Sequence, residues 1–190
     1  MDTTLHLPCA AALPDGFELL DVCHRQTLFS LGKLAALVSR LATRGPDDTA
    51  RMMAAEIVHH FELTVREHHA DEERHLFPRL LASGEPEIVQ AVLRLQQDHG
   101  WMEQDWRELE PQLRGVADGQ VGLDLDKLRE DTRVFTALSH DHMALEESLV
   151  YPQARARLSV GERRGIGRAL AAQHRQRAPV DPPQAATLAT

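Results

Sequence analysis

The stretch His68-His-Ala-Asp-Glu-Glu-Arg-His-Leu-Phe-Pro78 returns further along the chain as His142-Met-Ala-Leu-Glu-Glu-Ser-Leu-Val-Tyr-Pro152. Each copy reads histidine, then a Glu-Glu pair beginning four residues later, then an aromatic residue and proline. Residues at i and i+4 lie one above the other on a helix, so the His and the first Glu of each copy can reach one point. Upstream of each copy stands a further histidine: His24 precedes His68 by 44 residues, and His99 precedes His142 by 43. The chain thus reads as two similar helical hairpins, each supplying one His and one His-x-x-x-Glu. Internal repetition of this kind decides the fold before any other signal.

Working outward, apolar residues recur at helical spacing almost everywhere. The spacing predicts a first helix over 17–43, through Leu20, Leu28, Leu31, Leu34, Val38 and Leu41. Gly45-Pro46-Asp47-Asp48 ends it and supplies a cap for a second helix over 48–82, whose last turns Pro78 should kink or loosen. Pro86 opens a third helix running through Leu95, Met102, Trp106 and Leu113. A glycine-rich connection, Gly115 to Gly122, leads to a fourth over 123–157. The expected architecture is all-α, an up-down-up-down four-helix bundle over 17–158. Around it the reading places an N-terminal extension (1–16), a short C-terminal helix (159–177) and a disordered tail (178–190).

Depth along the bundle is an independent check. With a rise of about 1.5 Å per residue, positions equally far from a shared loop lie level. On that reckoning His24, His68, Glu72, His99, His142 and Glu146 converge on one layer. Helix faces choose among neighbours. Phe61 and Val65 precede His68 at seven and three residues, where His69 has Glu62 and Arg66. His68 and His142 are therefore expected inside, with His69 and His140 outside. The same comparison selects Glu72 and Glu146 over Glu73 and Glu147, which face solvent or support the ligands. Glu103 is a possible extra or supporting ligand. His59, His60 and His75 are read as surface residues, Cys23 as core, Tyr151 as structural, and Trp101 and Trp106 as packing residues.

Imidazole and carboxylate without thiolate suit iron, manganese or zinc better than calcium or magnesium. Four His and two Glu exceed what one zinc ion takes. They suit two iron ions bridged by the glutamates. Two carboxylates offset half the charge of two divalent ions, so an oxo or hydroxo bridge should complete the site. A position open to an exogenous ligand is expected near Phe61, Leu95, Met102, Phe135 and Leu138.

Composition narrows the partners. The formal charge of −8 argues against nonspecific binding to nucleic acid or to an anionic membrane. The apolar patches are short and broken by charge, so no transmembrane span is expected. The N-terminus lacks the basic start and apolar stretch of a signal peptide, and Cys9 and Cys23 form no disulfide framework. A reducing cytoplasm is the expected compartment; the sequence does not fix an oligomeric state.

The motifs His68 to Pro78 and His142 to Pro152, with Cys-His-Arg around His24 and Asp-His-Gly-Trp-Met-Glu-Gln-Asp-Trp around His99, resemble the hemerythrin-like family, in particular its HHE-type cation-binding members. The resemblance covers about Phe17 to Leu158. It implies a di-iron centre bridged by Glu72 and Glu146, with the four histidines terminal, reactive toward O₂, NO or peroxide. The oxygen-carrying branch has two histidines one turn apart on its third helix, where this chain has His99 and Glu103. The branch implicated in repair of nitrosatively damaged iron–sulfur clusters has a cysteine-bearing N-terminal segment; here only Cys9 precedes Phe17. The expected function is a non-haem di-iron protein that binds O₂ or NO for sensing, storage or scavenging, a binder in preference to a catalyst. The alternatives are a di-iron enzyme or cluster-repair factor reducing NO or peroxide, and a structural bundle whose site is vestigial or holds zinc.

Overall fold

A computed structural model describes residues 15–120 and 122–177. The first fourteen residues, with Cys9, and the tail expected from Ala178 lie outside the described residues. What is described is helical and contains no strand, as the periodicity requires. The helices are α1 (Gly16–Arg44), α2 (Asp48–His59), α3 (Arg66–His75), α4 (Phe77–Leu81), α5 (Pro86–Ala117), α6 (Leu125–Leu145), α7 (Tyr151–Arg157) and α8 (Val160–Arg177). Two π-helical segments, His60–Val65 and Glu146–Val150, join α2 to α3 and α6 to α7.

Side chains at the helix ends explain most of these boundaries. Asp15 caps α1 by accepting from the Phe17 N–H (2.8 Å), and Glu18 reaches back to the Asp15 N–H (3.1 Å). Gly45, at φ 74°, ends α1 in a conformation that a Cβ would oppose, and its N–H closes on the Leu41 carbonyl. Asp47 then caps α2 through the Ala50 N–H at 2.9 Å. The fourth long helix starts two residues later than the spacing suggests, because Asp124 serves as its cap and accepts from the Lys127 N–H.

Of the two long helices that carry the repeat, the one with Pro78 is interrupted where its last turns were expected to kink, and the one with Pro152, expected to run unbroken, is interrupted as well. Pro78 and Pro152 each lack an N–H and crowd the carbonyl four residues back. Before Pro78 the helix breaks at Leu76; before Pro152 the turn widens into the Glu146–Val150 π segment. The first irregularity falls between Glu72 and Phe77 of the repeat, and the second runs from Glu146 to the residue before Tyr151.

Helix α1 packs on α2, α6 and α8, while α5 packs on α2 and α6. The apolar interior is divided. One cluster gathers Leu34, Leu37, Ile57, Phe61, Trp106, Leu109 and Phe135. The other gathers Phe17, Leu20, Phe77, Leu80, Leu95, Tyr151 and Leu158, closed by Ile166 and Leu170 of α8. Between the two clusters lies a layer of buried polar side chains. The buried stripe of α1 advances by threes and fours through Leu20, Cys23, His24, Thr27, Ser30, Leu31 and Leu34, and Leu28 falls off its edge at 45% exposure. On α5 the same displacement leaves Trp101 at 52% exposure, contrary to the packing role expected of it, whereas Trp106 is buried.

Candidate metal centre

His24, His68, Glu72, His99, His142 and Glu146 are all buried, and they meet in the layer between the two apolar clusters. Each comes from a different turn of the fold: His24 from α1, His68 and Glu72 from α3, His99 from α5, His142 from α6, and Glu146 from the first residue of the second π segment. Their donor atoms form two groups, each spanning no more than 4.8 Å. One group is His24, His68, Glu72 and Glu146; the other is Glu72, His99, His142 and Glu146. Both carboxylates belong to both groups.

The contacts have a near two-fold logic. Glu146 sets Oε2 3.1 Å from His24 Nε2 and Oε1 3.0 Å from His142 Nε2. Glu72 sets Oε1 3.5 Å from His68 Nε2 and Oε2 3.6 Å from His99 Nε2. Each carboxylate thus spans one histidine of each group. Both Glu146 oxygens, Glu72 Oε2, His99 Nε2 and His142 Nε2 are buried and have only these charge-pair contacts, without an aligned hydrogen bond. A buried polar atom without an aligned partner costs about 1–3 kcal/mol, so several aimed at one point fit a cation better than a purely structural core. The donor set, nitrogen and carboxylate oxygen in two groups with a shared edge, suits a pair of transition-metal ions.

Carboxylates behind the imidazoles orient them. Glu147 Oε1 lies 3.0 Å from His24 Nδ1, and Glu73 Oε1 lies 2.7 Å from His99 Nδ1. Asp98, itself buried, stands 3.9 Å from His142 Nδ1. Holding Nδ1 fixes the ring and turns Nε2 toward the centre. Glu73 and Glu147 therefore combine the two places the sequence allowed them: partly exposed, yet supporting a histidine. The electrostatics agree. Burial pushes the Glu146 carboxyl up, but His142 and His24 outweigh it and hold it down at about 2. Burial pushes the His24 imidazole down, and Glu146 and Glu147 more than reverse this, to about 9. Burial dominates at His68, bringing it down to about 4. The carboxylates that draw a proton to His24 would equally favour a metal cation there.

Three residues beside the centre were read differently, or not at all, from the sequence. Tyr151, taken as structural, donates its hydroxyl to Glu72 Oε1 at 2.5 Å and lies 3.1 Å from His24 Nε2. Its ring stacks on His24 (centroids 5.3 Å apart, 20°), as Phe77 stacks on His99 in the other half (5.7 Å, 17°). Burial, then the charges of Glu146 and Glu72, push the phenol well above its ordinary range, so it remains a donor. The readable signal was the one hydroxyl that distinguishes the two aromatic-proline pairs. Asp98 was not singled out. His69, expected outside, is half-buried: it stacks on His99 (4.0 Å, 11°) and meets His142 edge-on (5.3 Å). The comparison of His69 with Glu62, seven residues back, runs through the first π segment. A π turn shifts the helix face by about a residue, so the comparison misleads.

The remaining expectations resolve simply. Glu103 lies at the surface, 2.9 Å from Arg107 and 4.0 Å from Arg66, and is in neither donor group. Cys23 is buried, and burial pushes its thiol up to about 12. His60, expected at the surface, is half-buried with Nε2 3.1 Å from Thr27 Oγ1; burial pushes it down to about 4. His75 is also half-buried, while His59 and His140 are exposed. A cavity of about 10 Å³ touches His24, Thr27, His68, His69, Met102 and His142. A pocket of about 590 Å³ lies outside it, against Phe61, His69, His99, Met102, Glu103 and Phe135. Leu95 and Leu138, expected near the open position, line neither. Among the described residues no helix is long and apolar enough to cross a membrane.

Residues 15–154 match the family model described as the hemerythrin HHE cation binding domain. An uncharacterized protein of Haemophilus influenzae is 27% identical over 132 residues, covering 70% of this chain and 74% of that protein.

Proposed function

Because the chain belongs to the hemerythrin HHE cation-binding domain family, we propose that it is a non-haem di-iron protein that binds O₂ or NO for sensing, storage or scavenging. The observation that carries this reading is the sharing of Glu72 and Glu146 by both donor groups. Two carboxylates common to two groups suit two adjacent ions, with His24 and His68 on one and His99 and His142 on the other. Two divalent ions keep half their charge uncompensated by these carboxylates, which favours an oxide or hydroxide between them. The small cavity against His24, His68 and His142 is of the order of one water molecule, a size suited to a diatomic ligand.

The bundle supports the site. The pairings of α1 with α2, α2 with α5, α5 with α6 and α6 with α1 close a ring of four, which favours an up-down-up-down arrangement. We read 17–158 as this bundle and the cytoplasm as its compartment.

The test is anaerobic reconstitution of the purified chain with ferrous iron, metal analysis, and absorption spectra on adding O₂ and, separately, NO. Two irons per chain and a reversible spectral change are expected. Well under one iron per chain would leave the reading of a structural bundle with a vestigial or zinc-filled site. A second reading, reduction of NO or peroxide, draws on the Tyr151 hydroxyl as a proton source beside Glu72. Consumption of the added ligand over many turnovers with an electron donor would favour it.

A further inference from the structure

We infer that the outer pocket, between the first π segment and α3 on one side and α5 on the other, binds a small organic monocarboxylate with an apolar, ring-bearing body, its carboxylate at Arg66 and Arg107. The inference does not depend on the metal reading above. The pocket measures about 590 Å³, within the range of about 300–1,000 Å³ that small-molecule sites occupy. Its apolar wall is aromatic. Phe61, Trp106 and Phe135 pack on one another with ring centroids 5.0 to 5.8 Å apart, and Val65 and Met102 extend the wall. A flat ring laid on such a surface gains contact area and favourable ring geometry.

The rim selects the charge. Arg66 of α3 and Arg107 of α5 approach a single carboxylate, Glu103, at 4.0 and 2.9 Å. Two guanidiniums on one carboxylate leave a positive excess at that end. Both arginine side chains are about two-thirds exposed, and exposed ion pairs are weakly held, so either can turn onto an incoming anion. A guanidinium presents a fork of N–H donors that matches a carboxylate. Elsewhere the balance reverses. Glu62 and Glu110 share Arg114, and Glu73 is engaged by His99; all three acids line the pocket. A dianion such as phosphate meets their repulsion, whereas a single carboxylate confined to the arginine end, on an uncharged body, does not. Glu103 thus holds the place of the ligand's carboxylate. The pocket also touches His69 and His99, so an occupant rests against that stacked pair.

The sequence has two tryptophans. Trp106 lines the pocket and the exposed Trp101 does not, so Trp101→Phe leaves one indole as reporter. The full chain with that substitution is titrated with 4-bromobenzoate, whose bromine quenches indole fluorescence on contact, before and after anaerobic iron loading. Calorimetry gives the binding constant independently. Saturable quenching is expected in both forms. The neutral analogue 4-bromobenzyl alcohol, and inorganic phosphate by calorimetry, should bind at least tenfold more weakly. Arg66→Gln combined with Arg107→Gln should weaken 4-bromobenzoate tenfold or more and leave the alcohol unchanged. Glu103→Gln removes the competing carboxylate and should tighten 4-bromobenzoate threefold or more, a gain that damaged folding does not imitate. Quenching that never saturates, equal binding of the alcohol, or a binding constant unmoved by either set of substitutions would overturn the inference. Binding by the iron-loaded chain alone would put the carboxylate on the metal and overturn it too.

Discussion

The Tyr151 hydroxyl donates to Glu72 Oε1 at 2.5 Å, so one of the two carboxylates shared by the donor groups is held by a phenol and the other, Glu146, is not. The two halves of the repeat differ here by one oxygen atom, since Phe77 takes the same place against His99. Tyr151→Phe should therefore fit without repacking. Hydrogen bonds to charged groups contribute about 1.5–3 kcal/mol, and the metal-free protein should lose about that much. With metal bound, Glu72 keeps a cation as its partner, so the loss should shrink. Denaturant midpoints of both proteins, with metal and after chelation, measure this. Equal losses in the two states would show that the hydroxyl serves packing alone.

The link between α1 and α2 should respond to acid in a defined window. Arg40 donates to Asp47 through Nε (2.8 Å) and Nη2 (2.5 Å), and the Ala50 N–H adds a third bond. These bonds, Arg40 first, bring the Asp47 carboxyl down from its ordinary 3.8 to about 2. A carboxyl with a lowered folded pKa stabilises the protein above its unfolded value and loses that contribution as pH falls through the folded value. Asp47→Asn keeps a helix cap but removes the charge. The variant should be less stable than wild type at pH 5 to 7, with the gap closing between pH 4 and 2. Urea unfolding at several pH values tests it; a gap unchanged at pH 2 would assign the effect to the cap.

Much of the site was legible because its chemistry repeats. Two His-x-x-x-Glu segments with matched upstream histidines name His24, His68, Glu72, His99, His142 and Glu146, and level heights along a bundle bring them to one layer. Gly45, Asp47 and Pro86 mark helix ends by their own backbone preferences, and these were readable too, whereas the Asp15 cap was not read. What was not legible depends on helix phase. Pro152 announces an irregularity, but not that the turn from Glu146 widens instead of breaking. No proline marks the His60–Val65 segment, and the register it shifts is the one that turns His69 toward His99. Tyr151 is marked in the sequence only by the hydroxyl that Phe77 lacks, and the contacts it makes with Glu72 and Asp98 with His142 cross helix interfaces, where the pattern of a single helix does not show them.

Helix α8 is tied to the start of α1 by a close approach that only glycine permits. A Cβ on Gly16 would lie 2.7 Å from Ile166 Cγ2 and 3.3 Å from the Arg163 carbonyl oxygen. Gly16→Ala should destabilise the protein by about 1–3 kcal/mol, the usual cost of overpacking. Adding Ile166→Ala removes the obstructing methyl groups. The double variant should lose less than the sum of the two single losses, because contacting sites couple. Additive losses in thermal unfolding would mean that α1 absorbs the new methyl without touching α8.

Glu146 belongs to both donor groups, whereas His24 and His68 belong to the first alone. Glu146→Ala should therefore lower iron content at both positions and leave well under one iron per chain. His68→Ala should remove most iron from the first position and also weaken the second, since loss of one ion strips Glu72 and Glu146 of half their charge partners. Glu103→Ala provides the contrast: Glu103 is exposed, paired with Arg107 and Arg66, and outside both groups. It should retain both irons. Metal analysis after anaerobic reconstitution, with circular dichroism to confirm folding, separates these outcomes. Full iron retention by a folded Glu146→Ala protein would contradict the bridging role, and loss of iron from Glu103→Ala would draw that residue into the centre.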